Sequence, residues 1–569
     1  MTSNGPLRSA LVLAFMVLPL LASSVQGSDW PMFQQNPQHT GDTDSSAPAH
    51  PKVLWEKHLN DKGFYSTPTI VKGKIFMGGL DRKMYALDAE TGDTYWTYST
   101  TPSQNGHGID DTAAVSAGKV YFGADDFVFY CLDTSNGNLV WSYNLASQTG
   151  INPQTYGFQA SPLISEGVVY AGADMSQADN LNLVDNLQAF DASTGSVLWT
   201  FDTNGRVYPS PTLSGNRLFV GTFTGDLYVV DISTAGTHKK PTATWQKHYD
   251  EGLMGSPMVF EDHVYVGTGQ YQESEGTYYL YSYDISGHEV WKFRTTWPIL
   301  STPIPNEGIL YFADYGGTVH AVKMDGSSGS TPETVWNHFL SDERVWATPL
   351  LADGKLFITS ADGRLYALDP KGNGDGTTFE LWNMTLDGPI WASPVAVGDK
   401  LYVATTNGTL YCIIEDPNPN QPVDPVLDSV SVEPQESKAG QALTIELKFR
   451  PGDDLTQVSE VFVDLTQLGG PAKAVLYDDG SNGDQTAKDG TYTFVYTLQK
   501  ATPQGYYELE PTALLKGGKK LSDTVRIYVG AADTGPGTDG GVPGPGPVLI
   551  IIAMVVAALA VRRGKRVHY

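Results

Sequence analysis

The sequence predicts an all-β protein whose main domain is an eight-bladed β-propeller. Tryptophan recurs between residues 55 and 382 with successive gaps of 41, 45, 58, 46, 46, 45 and 46 residues. Repeats of roughly 40–50 residues that read as short strands, with no helical pattern between them, are typical of propeller blades. The recurring residues are Trp55, Trp96, Trp141, Trp199, Trp245, Trp291, Trp336 and Trp382.

A second repeating mark, which we call the opener, sets the register of these units. It is a Ser or Thr followed by proline, at Pro68, Pro162, Pro211, Pro257, Pro303, Pro349 and Pro394, and only the second unit departs from it, with Thr112-Ala113. Four short runs follow the first opener and predict a four-stranded meander: Thr69–Val71, Ile75–Gly78, Lys83–Asp88 and Tyr95–Tyr98. Proline is tolerated at the first residue of a strand, and Gly, Asn and Asp supply the turns.

The last unit predicts how the ring closes. It opens at Pro394 but ends at Cys412 without a following tryptophan, whereas the run Val53–Glu56 carries Trp55 ahead of the first opener. We therefore predict that this N-terminal strand completes the eighth blade and removes the open sheet edges.

These residues resemble a known family. The run Ala86–Trp96 is similar to the tryptophan-docking motif, Ala-x-Asp-x-x-Thr-Gly-x-x-x-Trp, of pyrroloquinoline-quinone-like (PQQ-like) repeat propellers. The motif recurs over Ala189–Trp199 and more loosely over Cys131–Trp141, and the opening Asp29–Phe33 resembles the lead-in of such proteins. The resemblance covers about residues 29–415 and implies the propeller fold. It implies no single function, because the family includes quinone dehydrogenases, an outer-membrane assembly lipoprotein and surface proteins of unknown role.

The eight tryptophans are predicted to be structural. A ligand-stacking role would not require the same residue in every blade, whereas packing between neighbouring sheets would. We expect these docking tryptophans to contribute on the order of 5 kcal/mol each in gross burial.

Composition shifts divide the chain into seven segments. A charged start, an apolar run and small residues predict a signal peptide, with a retained membrane anchor as the alternative. Alternating runs after the propeller predict an immunoglobulin-like sandwich without the cysteine pair. The segments are a signal peptide (1–27), the propeller (28–415), a Pro-rich linker (416–427), the sandwich (428–530), a Gly/Pro-rich linker (531–547), a hydrophobic anchor or sorting segment (548–561) and a basic tail (562–569).

The C-terminal segments predict an anchored ectodomain. The uncharged stretch 540–561 is long enough to span a membrane, and the basic tail after it predicts a cytoplasmic end. The same pattern resembles prokaryotic sorting signals that sortase-like enzymes process, so the segment is either retained or cleaved. Both readings predict a prokaryotic cell-surface protein. The net charge of −27 argues against nucleic acid as a partner and leaves a protein or polysaccharide at the cell surface.

One position varies from blade to blade. It lies three residues before the opener's proline, where the chain enters the innermost strand at the mouth of the central channel, and it carries Met254 and Leu300 in two blades. Variation within a fixed frame favours a binding surface, although packing of strand ends is the alternative. We predict a ligand site from Tyr65, Asp110, Gln159, Tyr208, Trp346 and Trp391, with Trp346, Trp391 and Tyr65 forming an aromatic shelf.

Two acidic loops are candidate metal sites. In the sandwich, Asp478, Asp479, Asp484 and Asp489 lie within twelve residues, which suits either Ca²⁺ or a pair of Asx and glycine turns. In the third propeller unit the insert 174–186 carries three aspartates, and we predict a solvated loop there.

Three classes of function remain. The first is a non-catalytic, surface-anchored binding or scaffold module, which we favour. The second is a quinoprotein dehydrogenase. The resemblance implies that such enzymes stack PQQ between a tryptophan and a disulfide of adjacent cysteines and hold Ca²⁺ with Glu, Asn and Asp. This chain has two separated cysteines, Cys131 and Cys412, which we predict to be buried thiols, so no PQQ is expected. The third is an envelope-assembly factor, whose family representative carries a lipidated N-terminal cysteine that this chain lacks after residue 27.

Overall fold

The computed structural model describes residues 29–530, apart from 103–107, 150–156, 174–185, 204, 234, 236–238, 272–273, 327–328, 418, 420–424, 450–454, 482, 485 and 517. The chain forms two compact units that divide after Pro417. The predicted signal peptide (1–27), the Gly/Pro-rich linker (531–547), the hydrophobic segment (548–561) and the basic tail (562–569) lie outside the described residues. Within the described residues, no helix is both long and apolar enough to cross a membrane.

The first unit consists of eight small sheets, which follow one another in chain order and are antiparallel apart from the parallel strand β1. Strands β1 (Asp42–Thr43) and β2 (Pro51–His58) come first, and a short helix α1 (Leu145–Thr149) follows the second sheet. The blades are formed by β3–β6 (Thr69–Val71, Lys74–Gly78, Lys83–Asp88, Thr94–Ser99), β7–β10 (Ala114–Ser116, Lys119–Gly123, Val128–Asp133, Leu139–Asn144), β11–β14 (Leu163–Ser165, Val168–Gly172, Leu187–Asp191, Val197–Phe201), β15–β18 (Thr212–Ser214, Arg217–Gly221, Asp226–Asp231, Thr242–His248), β19–β22 (Met258–Phe260, His263–Gly267, Tyr278–Asp284, Glu289–Thr295), β23–β26 (Ile304–Asn306, Ile309–Ala313, Thr318–Lys323, Thr334–Phe339), β27–β30 (Leu350–Ala352, Lys355–Thr359, Arg364–Leu368, Glu380–Thr385) and β31–β33 (Val395–Val397, Lys400–Ala404, Thr409–Glu415).

The eighth blade is completed from the other end of the chain. Strand β2 pairs antiparallel with β33, and Trp55 lies opposite Cys412. The sheet order is β2-β33-β32-β31, so the N-terminal strand takes the outermost place that the fourth strand holds in the other blades. The predicted eight-bladed architecture and its closure by the Trp55 strand are confirmed.

Burial differs between the inner and outer strands of a blade. The sequence predicts alternating strands, but β4 and β5 bury nearly every residue because each blade is covered on both faces by its neighbours. The outer strand β6 alternates between exposed and partly buried residues. The hydrophobic clusters accordingly span adjacent blades: one joins Phe76 and Met84 of the first blade to Phe122 and Tyr130 of the second.

The segment 29–48, which we call the N-terminal strap, runs along the inner strands of successive blades. Trp30 exchanges backbone hydrogen bonds with Ile70 of the first blade, and the carbonyls of Pro31, Pro37 and Gln38 accept N–H groups from blades 2, 4 and 5. Strand β1 pairs in parallel with β27 of blade 7, and the strap N–H of residue 46 reaches blade 8. The strap therefore satisfies inner edge groups that would otherwise lack partners.

The second unit is also built from strands. Its sheet orders are β34-β36-β39, β35-β43-β40 and β38-β37-β41-β42. Side chains from all three sheets share one core, including Leu443, Val461 and Ile527, while the immunoglobulin-like topology stays a prediction. The strands are β34 to β43 (Leu427–Glu433, Glu436–Lys438, Ala442–Phe449, Val458–Val463, Ala474–Leu476, Thr491–Thr497, Gly505–Leu509, Thr512–Leu515, Lys520–Ser522, Val525–Gly530), with 3₁₀ turns at Leu455–Gln457 and Thr466–Leu468.

Candidate functional site at the mouth of the propeller

The openers form a hydrogen-bonded frame around the ring. At seven of the eight blade junctions, the backbone N–H of one opener donates to the hydroxyl of the opener on the next blade, over distances of 2.9 to 3.2 Å. The last link, from Ser393 N–H to Thr67 Oγ1 at 3.1 Å, joins blade 8 to blade 1. The other links run from Thr67 to Thr112, Thr112 to Ser161, Ser161 to Ser210, Ser210 to Ser256, Thr302 to Thr348 and Thr348 to Ser393. The frame fixes the residue two positions before each hydroxyl, which is the predicted mouth position.

The predicted aromatic shelf is present as a stack of four rings. Tyr65 stacks on Trp391 with ring centroids 4.7 Å apart, and Trp391 stacks on Trp346 at 5.3 Å. Tyr271, which sequence reasoning missed because it lies in a loop outside the repeat, extends the stack from Trp346 at 5.6 Å. The interplanar angles are 17°, 14° and 27°, within the range of offset-stacked rings.

Stacking decides which parts of these rings can meet a ligand. The sequence prediction gives every ring an open face, but Trp391 and Trp346 each stack on a ring on either side. Both indoles are partly exposed, and in the described part of the chain neither Nε1–H donates to an acceptor. The shelf therefore offers ring edges and two indole donors.

The stack continues into an apolar cluster on blades 4 to 6. Met254, Leu300 and Tyr315 are buried there, and Tyr208 packs beside them as a predicted mouth residue. Two guanidinium groups border this cluster: Arg206 lies 4.3 Å from the ring centre of Phe223 and Arg344 lies 5.3 Å from that of Tyr315. The aromatic arc, meaning the mouth residues of blades 4 to 8 and blade 1, is apolar with cationic borders.

The opposite arc, on blades 2 and 3, is acidic. Nε2 of Gln159 lies 3.4 Å from Oδ2 of Asp110 and 3.5 Å from Oδ1 of Asp125, so the predicted pair Asp110 and Gln159 is brought together. Burial raises the pKa of Asp110 to about 7, although the amide of Gln159 opposes that shift. Burial therefore favours the protonated form of this carboxyl more than water does.

Asp111 and Asp125 belong to this arc and were missed by sequence reasoning. Asp111 is 2% exposed, its Oδ2 accepts the N–H of Gly123 at 2.9 Å, and its Oδ1 is buried. Burial, with the nearby Asp110 charge as a further cause, raises the pKa of Asp111 well above its usual value. The signal in the sequence was the unit's departure from its repeat, since Asp111 occupies a position that is small in the other blades.

The docking tryptophans lie far out on each blade and bind the next one. In six of them the indole Nε1–H donates to a backbone carbonyl, which belongs to the strap for Trp382 and to a turn of the following blade for the other five. The ring of Trp96 covers a motif glycine, since a Cβ on Gly137 would lie 2.7 Å from it. Trp55 differs from these six, because its buried Nε1 has no acceptor among the described residues. The carbonyl acceptors are Thr134 for Trp96, Ala192 for Trp141, Ile285 for Trp245, Met324 for Trp291, Pro370 for Trp336 and Pro48 for Trp382.

The acidic loop of the second unit brings three of its four predicted ligands together. Oxygens of Asp478, Asp484 and Asp489 lie within 4.8 Å of one another. Asp479 is not in the cluster and accepts a hydrogen bond from the N–H of Ser481 at 2.9 Å. Asp478 accepts the N–H groups of residues 489 and 490, so turn contacts occupy part of the cluster. Calcium binding stays a prediction, and the insert 174–185 lies outside the described residues.

Comparison with known proteins identifies the family. A family model described as outer membrane protein assembly factor BamB matches residues 47–179, 179–239 and 239–372, which is more than half of the chain. The chain belongs to this family of PQQ-like repeat propellers. The family resemblance predicted from the docking motif is confirmed.

The relatives of this PQQ-like propeller include dehydrogenases. It is 27% identical over 154 residues to the quinohemoprotein alcohol dehydrogenase ADH IIB of Pseudomonas putida, covering 25% of this chain and 21% of that protein. It is 27% identical over 233 residues to the dehydrogenase subunit of a quinone alcohol dehydrogenase of Komagataeibacter europaeus, covering 38% and 24%. The chain thus spans about a quarter of the length of these relatives.

A solved structure supports the fold alone. The quinohemoprotein alcohol dehydrogenase ADHIIG of Pseudomonas putida HK5 aligns with a TM-score of 0.51 and 14% identity, covering 71% of this chain and 83% of that one. At this identity the likeness carries no information about chemistry.

The pair of adjacent cysteines that the resemblance implies for a quinone site is not found in this sequence. Cys131 and Cys412 are free and fully buried, on strands of blades 2 and 8, and burial raises the pKa of each thiol to about 12. They are the buried thiols that the sequence predicts, and they form no disulfide on which a planar quinone could stack. The faces of Trp346 and Trp391 are covered by neighbouring rings.

Proposed function

We propose that this protein is a non-catalytic binding or scaffold module, anchored at a prokaryotic cell surface, that holds a protein or polysaccharide partner at the mouth of its propeller. The observation that carries the proposal is the divided mouth. A four-ring aromatic stack lies on one arc and buried carboxylates on the other, at positions that a repeated frame holds in place.

The difference between the frame, which repeats from blade to blade, and the mouth position, which varies, supports binding over packing. The openers repeat a hydroxyl in every blade and its hydrogen bond at seven of the eight blade junctions, whereas the residues two positions earlier change from Tyr to Asp, Gln, Met, Leu and Trp. Partly exposed aromatics supply large contact area with little loss of side-chain entropy. Two indole N–H donors at this mouth would pair with carbonyl or hydroxyl oxygens of a partner.

Location follows from the sequence segments outside the described residues. The predicted signal peptide 1–27, together with the apolar segment 548–561 and basic tail 562–569, supports export and anchoring at the C-terminus. The acidic surface suits a soluble ectodomain and no nucleic-acid partner.

The alternative function is a quinone-dependent alcohol dehydrogenase, favoured by the names of the relatives. Loading with PQQ and Ca²⁺ separates the two functions. We expect no bound quinone absorbance and no dye-linked oxidation of alcohols or sugars. Stoichiometric quinone binding with oxidation would replace the binding proposal with the enzymatic one.

The binding proposal is tested by presenting purified residues 29–530 to a glycan array and to cell-surface extracts of the source organism. We expect retained ligands whose capture falls at least tenfold with Trp391→Ala. A matched control is Tyr95→Ala, which removes an exposed aromatic ring from the outer strand of blade 1. Ligands that bind the Trp391 variant as well as the parent protein would contradict binding at the mouth.

A further inference from the structure

Blade 2 departs from its repeat at three positions of one loop. Its opener has Ala113 in place of proline, its mouth position is Asp110, and the next residue is Asp111. In the other blades the residue equivalent to Asp111 is uncharged, namely Ser66, Ala160, Pro209, Gly255, Ser301, Ala347 and Ala392. Ser66 shows the structural use of the position, because its hydroxyl donates to the carbonyl of Gly78 within the blade. A serine at this position is therefore enough for a hydrogen bond within the blade, and the fold does not require the carboxyl group of Asp111.

The extra carboxylate oxygens have no partner. Oδ1 of Asp110 and Oδ1 of Asp111 are buried, and neither accepts a hydrogen bond within the described residues. In that same part of the chain, neither side chain forms an ion pair with Lys, Arg or His. Leaving a buried acceptor unsatisfied costs about 1–3 kcal/mol, so two adjacent carboxyl oxygens without partners give this loop an unused capacity to accept hydrogen bonds.

The geometry favours a cation larger than a metal ion. Among the described residues, the arrangement in which three carboxylates place their oxygens within 4.8 Å of one another is found at Asp478, Asp484 and Asp489, and the mouth carboxylates are not part of such a group. Three-donor hydrogen bonding by an ammonium group does not need that close convergence. A bare calcium ion, with six to eight oxygen ligands, does need it.

The aromatic arc begins on blade 1, beside blade 2. Tyr65 occupies the position of blade 1 that Asp110 occupies in blade 2, and the two openers are joined by the N–H of Thr67 and the hydroxyl of Thr112 at 3.2 Å. Aromatic rings beside a carboxylate stabilise an organic cation through its charge and its alkyl carbons together.

We propose that Asp110 and Asp111, with Tyr65 at the equivalent position of the neighbouring blade, bind an alkylammonium group, which is the basic part of the ligand held at the mouth. This inference rests on the proposed function and names the chemistry that the site recognises. Asp110 is partly exposed and meets the ammonium first, whereas Asp111 is buried. The ammonium belongs either to a lysine side chain of a protein partner or to a free alkylamine.

Isothermal titration calorimetry on residues 29–530 tests the site with n-hexylammonium. The neutral match is n-hexanol, and a capped tripeptide with a central lysine represents a protein source. We expect hexylammonium to bind at least tenfold more tightly than hexanol, and Asp110→Asn to weaken it at least tenfold. The matched control is Asp250→Asn, an exposed carboxylate in the loop after blade 4, which should bind as the parent does. Tighter binding of the tripeptide than of hexylammonium would assign the ammonium to a protein, and the reverse to a free amine.

Several outcomes would overturn the inference. These are equal binding of hexylammonium and hexanol, no loss in Asp110→Asn, or displacement of hexylammonium by millimolar Ca²⁺ that Asp110→Asn abolishes, which would make the carboxylates a metal site. Asp111→Asn keeps the acceptor for Gly123 and should also weaken binding, so a fold defect in one variant leaves the other as a test. If amine binding fails while Trp391→Ala still reduces glycan or extract capture, the alkylammonium inference fails and the binding function stands.

Discussion

Two tryptophans of blade 7 show how one residue type serves two purposes in this propeller. Trp382 lies on the outer strand, and its Nε1–H donates to the carbonyl of Pro48 at 3.0 Å. Trp346 lies at the mouth, stacked between Trp391 and Tyr271, and its Nε1–H has no acceptor among the described residues. The indole on the outer strand uses its donor to hold the ring together, while the indole at the mouth keeps its donor available. Within this blade, the hydrogen-bond acceptor of the indole N–H, more than burial, distinguishes the structural tryptophan from the one predicted to bind.

Removal of β2 (Pro51–His58) should lower the stability of the propeller more than any other change considered for the structural tryptophans. The deletion removes a strand and Trp55 together, and leaves β33 of blade 8 as an open edge. We expect destabilisation beyond the roughly 3–5 kcal/mol of a single Trp→Ala change. Denaturant unfolding of residues 29–530 checks this, and an unchanged midpoint would show that the ring does not depend on β2.

Trp336→Ala tests one structural tryptophan alone. Its ring is fully buried and its Nε1–H donates to the carbonyl of Pro370 at 2.9 Å. Loss of the ring and of this bond should lower the free energy of unfolding by about 3–5 kcal/mol. Trp336→Phe serves as control, since it restores most of the buried area without the donor and should lose less. A loss below about 1 kcal/mol in the alanine variant would contradict the docking role.

His39 in the strap should make the stability of the propeller depend on pH. Its ring is buried, Nδ1 lies 2.9 Å from Thr212 Oγ1 and 3.1 Å from the carbonyl of Pro257, and burial lowers its pKa from 6.5 to about 4. Between these two values the unfolded chain binds a proton that the folded chain does not. The stabilisation is therefore complete above pH 6.5 and is lost as the pH falls toward 4.

The difference between 6.5 and about 4 corresponds to about 3 kcal/mol at most. We expect the unfolding free energy of the parent protein to fall more steeply between pH 6.5 and 4.5 than that of His39→Gln. Chemical denaturation across this range checks the slopes. Parallel slopes for the two proteins would show that His39 does not report on strap binding.

The smallest expected effect is the stabilisation of the second unit by calcium at its acidic loop. The loop oxygens of Asp478, Asp484 and Asp489 converge, so Ca²⁺ at 100 times its dissociation constant would stabilise the second unit by about 2.7 kcal/mol. Asp489→Asn should remove this gain, while Asp479→Asn, outside the cluster, should keep it. Thermal unfolding with Ca²⁺ and with EDTA measures the difference. Identical curves for the parent protein would assign the loop to Asx and glycine turns.

Local repetition made most of the fold predictable from the sequence. The docking tryptophans and openers recur because each blade repeats the same contact, and the first blade's predicted strands agree with β3 to β6 within one residue. The shelf of Tyr65, Trp346 and Trp391 was predictable for the same reason, since equivalent positions on adjacent blades must meet.

The parts that depend on distant contacts were not predictable. The strap binds successive blades through backbone groups of Trp30, Pro31 and Gln38, and backbone groups carry no sequence pattern. Tyr271 joins the stack from an irregular loop, and Asp125 reaches Gln159 from a turn of the preceding blade. Such pairings arise only once the ring brings the loops together.

The most direct test of the central claim compares Trp346→Ala with Trp382→Ala, two variants of the same blade, in one thermal melt and one binding assay against the ligand retained by residues 29–530. We predict that Trp346→Ala shifts the melting temperature little and weakens binding at least tenfold. We predict that Trp382→Ala lowers the melting temperature by several degrees and, below that temperature, binds as the parent protein does. If Trp346→Ala destabilises the protein as severely as Trp382→Ala, the aromatic stack is part of the hydrophobic core, and the proposal of a binding site at the mouth is contradicted.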